Sequence, residues 1–132
     1  MAEYGDYMSF TAQAAVDLRA AQYHVVRAST WGNTPLINIA SNAAATAVLG
    51  AMGVLINQPN SGQAATVAWG GMMKAVAGGA VTAGVLITNN SSGRVTAAVS
   101  GDLVVGRAMG AAGSDGEVIN AMIWQPLPLL RT

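Results

Sequence analysis

Short apolar runs alternate with closely spaced polar corners along most of this chain. From Gly78 to Ile123, segments rich in Val, Ile, Leu and Thr are separated by clusters of Gly, Asn, Ser and Asp, the pattern of consecutive β-hairpins. Asn89-Asn90-Ser91-Ser92-Gly93 offers residues that tolerate positive φ, and Ser114-Asp115-Gly116 holds the Asp-Gly pair of a tight hairpin. The pattern predicts strands near 85–89, 94–99, 103–109 and 117–124.

Alternation in the last of these is incomplete. Val118, Met122 and Trp124 share one face with Asn120, while Ile119, Ala121 and Ile123 share the other with Glu117. Both faces are largely apolar, so each is expected to be covered, the second by another sheet or by a neighbouring subunit.

Upstream, Tyr23, Val25 and Val26 turn residues 18–29 towards strand, Thr30 to Pro35 reads as a loop, and Leu36 to Ile39 as a strand. Ser41-Asn42 precedes an Ala-rich stretch that predicts a short helix over 43–49. Gly53 to Asn57, the corner Pro59-Asn60-Ser61-Gly62 and Gln63 to Trp69 form a further hairpin. GVLINQPNSGQAATVAW at 53–69 resembles GRAMGAAGSDGEVINAMIW at 106–124 in the order of its parts, which suggests a weak internal duplication with halves about 17–69 and 78–124, joined through Gly70 to Gly79.

The ends differ from this body. Residues 1–16 show no clear period yet contain Tyr4, Tyr7, Met8 and Phe10, and read either as a frayed arm or as a segment ordered by a partner. The prolines of Gln125-Pro126-Leu127-Pro128-Leu129-Leu130 exclude helix and central strand, so 125–132 is an extended tail. The expected fold is mostly β: one compact barrel- or sandwich-like domain of short antiparallel hairpins over 17–124, with extended termini.

Composition sharpens the functional picture. Of 132 residues, 9% are Asp, Glu, Lys or Arg, against about 25% in soluble domains. A surface so poor in charge is expected to lie partly against partners. Six basic and six acidic residues balance without a basic cluster, which argues against nucleic acid as a partner. The most apolar run, Ala43 to Ile56, is shorter than the about 20 residues a membrane-spanning helix needs. With Glu3 and Asp6 ahead of Arg19, the start does not read as a secretory signal.

Candidate chemistry is thin. His24 is the lone histidine and Cys is absent, so no metal-ligand set appears at a recognisable spacing, and His24 reads as an ordinary strand residue. Gly101 to Arg107 has phosphate-loop glycine spacing but Arg-Ala where Lys-Ser/Thr is required. Asp115 and Glu117 fit a solvated turn. Lys74 follows Met73 where a tight turn is plausible, similar to the modified lysine of biotin and lipoyl carrier domains, but Ala75 replaces the second Met of that motif. The chain therefore reads as a non-enzyme without metal, cofactor or small-molecule substrate. Its candidate contact residues are Tyr4, Tyr7, Met8, Phe10, Trp31, Met72, Met73, Leu127 and Leu129, with Met109 and Met122 as further interface or core residues.

Gly53-Val-Leu-Ile, Ser61-Gly62-Gln-Ala-Ala-Thr-Val67, Val76-Ala-Gly-Gly-Ala-Val-Thr-Ala-Gly84, Ser92-Gly93-Arg-Val, Gly101-Asp102-Leu-Val-Val-Gly106 and Gly113-Ser-Asp-Gly-Glu117-Val together resemble the bacteriophage capsid cement, or head decoration, proteins. The likeness covers roughly residues 17 to 123. It implies a small β-rich subunit, commonly a homotrimer, seated on the outer capsid surface of the virion and clamping adjoining major capsid proteins. A self-assembling shell or tail component is the alternative of the same composition.

Overall fold

The computed structural model describes residues 7–30, 36–39, 51–123 and, for the backbone, 129–130. Its strands are β1 Tyr7–Ala14, β2 Val25–Thr30, β3 Leu36–Ile39, β4 Ala51–Leu55, β5 Ala64–Val76, β6 Leu86–Asn89, β7 Val95–Ala97, β8 Leu103–Val104, β9 Gly106–Ala108, β10 Val118–Ile123 and β11 Leu129–Leu130. No helix occurs among the described residues. The helix expected over 43–49 lies outside them.

One sheet runs in the order β1-β3-β2-β4-β5-β10-β9-β6-β7, and β1 pairs with β5 as well, so the first five strands close into a barrel. β1 and β3 run parallel, Gln13 opposite Leu36, while the other ladders are antiparallel. Closure removes the free edges that would otherwise recruit other strands. β8 and β11 form a separate pair, Leu129 opposite Val104.

Two cores explain why the alternation is blurred. Val26, Ile37, Leu55, Ala65 and Val67 fill the barrel with Ala12, Ala14, Leu18 and Ala21. Their chain neighbours Val25, Val54 and Ala68 point outward through the wall, into a second core with Met73, Ala75, Ile87, Val95, Ile119, Ala121 and Ile123. Val25 and Val26 are both fully buried, because this wall is covered on both sides and so reads as a continuous apolar run. The remaining strands, β10, β9, β6 and β7, thus pack their inner face on the outside of the barrel.

β5 belongs to both layers. Its first half pairs with β1 and β4, Val67 opposite Phe10 and Leu55. Its second half pairs with β10, from Val76 opposite Val118 to Gly71 opposite Ile123. Between them the β1 register jumps, with Met8 opposite Gly70 and Ser9 opposite Ala68, leaving Trp69 as a bulge. A bulge bends a strand and shifts its side-chain parity by one. Accordingly Val67, Gly70, Met72, Lys74 and Val76 share one side of the strand, and Ala68, Met73 and Ala75 the other.

These features revise several expectations. Gly70 to Gly79 is no joint between halves, since β5 runs through it to Val76. The described part of the expected N-terminal arm is a barrel stave, β1. The single strand over 103–109 is divided at Val105, whose N–H is spent on the Ile87 carbonyl. Both repeated segments do form hairpins, β4 with β5 and β9 with β10, and their turn glycines Gly62 and Gly116 have φ of 82° and 95°, the left-handed region that glycine enters without steric cost.

Candidate functional site

The chemistry-bearing side chains are employed in holding the two layers together. His24, buried just before β2, places Nδ1 3.1 Å from the Gln22 carbonyl and Nε2 3.4 Å from Arg94 Nε. Arg94 can only donate, so Nε2 accepts from it and Nδ1 donates to Gln22. Arg94 Nη1 in turn donates to Asp115 Oδ1 at 2.6 Å. This string ties the barrel to the β6–β7 and β9–β10 turns. Arg94→Met, which keeps the apolar stem but removes both donors, is expected to lower unfolding stability by about 1 kcal/mol, read from urea melts.

The other candidates have similar occupations. Glu117 Oε2 accepts from the Gly113 N–H and from Ser114 Oγ, so Asp115 and Glu117 serve separate contacts. Lys74 lies within β5 opposite Asn120, its ammonium 5.6 Å from the centre of the Tyr23 ring. A position inside a paired strand does not present a lysine at a turn, and the carrier-domain reading is withdrawn on that ground. Leu103–Val104 and Gly106–Ala108 are strands where a phosphate loop would be needed.

Asp17, Arg19 and Ala20 line an open depression near the surface. The Arg19 side chain, at 2.9 and 2.8 Å, and the Arg19 N–H hold the Asp17 carboxyl down to about 2. A lowered carboxylate contributes stability above its ordinary value and loses it as pH falls through about 2. The pair is exposed and satisfies itself, so it offers no ligand an open charge.

What remains is a face. On the side of the second sheet turned away from the barrel, β5 presents Gly70, Met72, Lys74 and Val76, and β10 presents Val118, Asn120 and Met122. Met72 is paired directly with Met122, and Met122 with Arg107 on β9. Met8 lies over Gly70, its methyl 3.4 Å from where a Cβ would stand. Met8, Val118, Met109 and Met122 are 55%, 50%, 48% and 36% exposed. The cover expected for this side of β10 is not supplied by the described chain.

The face gathers some of the contact residues expected from sequence and rejects others. Met8 and Met72 are on it, together with Met109 and Met122. Met73 is not: it is fully buried on the opposite side of β5, so its assignment to a contact surface is corrected to the core. Tyr7 and Phe10 are half-buried and pack against the outer and barrel cores. Tyr4, Trp31 and Leu127 lie outside the described residues, and of Leu129 only the pairing with β8 is described. Sequence reading missed Val118 and Arg107 as members, although the period of two along β10 places Val118 beside Met122.

No family model matches the sequence, and no curated protein matches it. Among solved structures the chain is similar to the head fiber gp8.5 N base of bacteriophage phi29, with a TM-score of 0.70 at 19% identity, over 88% of this chain and 92% of that chain. At this identity the likeness is one of fold.

Proposed function

We propose that this chain is a structural subunit of a bacteriophage head, bound to the outer surface of the mature shell, where it braces adjoining major capsid subunits. The observation that carries the reading is the shared fold with the base of a head fiber, over nearly the whole of both chains. The sequence motifs that resemble head decoration proteins support the same assignment independently. So does a surface with only 9% charged residues, which favours a molecule that works against a larger body.

In this reading the chain performs no catalysis and takes no cofactor. His24, Arg94, Asp115, Glu117 and Lys74 are framework residues, and trimers on the shell present the same face at repeated sites. A rigid two-layer body suits a brace, because packed interiors transmit force with little deformation.

The test is to mix purified protein with expanded shells that lack it. It should co-sediment with them and raise the temperature at which they break. Protein that stays in the supernatant at saturating concentration would refute the proposal. Purified protein that assembles unaided into large particles would favour the self-assembling alternative.

A further inference from the structure

We infer that the Met-rich face of the second sheet, Met8, Met72, Met109, Met122 and Val118 around Lys74 and Arg107, is the surface that docks on the shell, and that its counterpart there is an apolar protein patch carrying carboxylates. The inference rests on the head-protein reading and adds which side of the molecule faces the shell and what chemistry receives it.

Three observations single out this face. It collects most of the exposed large apolar side chains, since Met8, Met109, Val118 and Met122 are four of the six among the described residues; Val16 and Val99 are elsewhere. Its apolar members are mainly methionines, whose flexible, polarisable chains adapt to an irregular partner surface. Its charge is of one sign: β5, β9 and β10 contain Lys74 and Arg107 and no Asp or Glu. The only nearby carboxylates, Asp115 and Glu117, belong to the turn before β10 and are held by Arg94, Gly113 and Ser114.

That charge pattern selects the occupant. A second copy meeting the same face across a two-fold axis would bring Lys74 and Arg107 against another Lys74 and Arg107, and like charges meeting in a drying interface oppose association. A patch with carboxylates meets both cations and lets the methionines bury. Arg107 is already oriented for this, because one of its nitrogens donates to the Gly84 carbonyl and fixes the guanidinium at the rim.

The experiment uses the full chain and purified undecorated shells of the phage that encodes it. Binding isotherms are compared for the native protein, for Met72→Glu and Met122→Glu, for the pair Lys74→Glu and Arg107→Glu, and for Val99→Glu, which adds a charge at an equally exposed apolar site off the face. Melting curves confirm that each variant is folded. The face variants should bind at least about tenfold more weakly, a difference of about 1.4 kcal/mol, with Val99→Glu unchanged, and native binding should weaken as salt is raised. Native binding with all face variants unimpaired would overturn this inference and leave the head-protein reading intact. Failure of the native protein itself to bind would overturn that reading. Native self-association that Met72→Glu abolishes, with shell binding retained, would assign the face to a second copy and overturn the inference as well.

Discussion

Deleting residues 1–16 is expected to abolish cooperative folding, not merely to trim an arm. β1 is hydrogen-bonded along β5 from Tyr7 opposite Gly71 to Gln13 opposite Ala64, and it reaches β3 through Gln13 and Ala14. Without it the barrel becomes an open sheet. Val26, Ile37, Leu55 and Val67, now fully buried, would face water, and the inner sides of β3 and β5 would become unpaired edges that invite aggregation. Circular dichroism and amide exchange on the truncated chain should show loss of the sheet and no protected core. A sharp unfolding transition with native-like protection would contradict the barrel closure described above.

The second large effect is expected at Gly106. A Cβ placed there would overlap the Met122 carbonyl oxygen and crowd the Ile123 Cα at 3.0 Å. These are backbone atoms, so no side-chain rotation relieves the contact, and β9 must move off β10 to accept even a methyl group. Gly106→Ala should therefore cost about 3 kcal/mol, a fall in Tm of roughly 10 °C for a chain of this size. Gly110→Ala is the matched control, because its added methyl would meet nothing closer than 3.7 Å. Equal melting temperatures for the two variants would mean that β9 and β10 are not as close as described.

The contrast between these sites shows what could be read from sequence. Hairpin corners are local: Asn60 to Gly62 and Ser114 to Gly116 carry their turn chemistry in adjacent residues, and both appear where expected. β1 is not local. Its partners are on β5 and β3, and its inward residues Ala12 and Ala14 are too small to mark a strand by periodicity. The continuity of β5 was hidden for a different reason. Gly70-Gly71 reads as a break, whereas here the glycines accompany a bulge inside one long strand and leave room for Met8 to lie across it.

The same bulge explains the mistaken pairing of Met72 with Met73. In a corner both side chains could reach a surface. In a strand they point to opposite sides, and the parity set by Trp69 sends Met73 into the core and Met72 to the open face. Only the register with β10 decides which is which. The absence of a reactive cluster was easier to foresee, since one His and no Cys leave few ways to build one.

The central claim is that a methionine-lined sheet face seats this molecule on a phage shell, and a density map of shells saturated with the protein tests it most directly. The account predicts bound molecules on the outer surface, with β5, β9 and β10 turned towards the major capsid subunits and acidic side chains of the shell near Lys74 and Arg107. Bare shells, or bound molecules whose methionine face is turned to solvent, would contradict it.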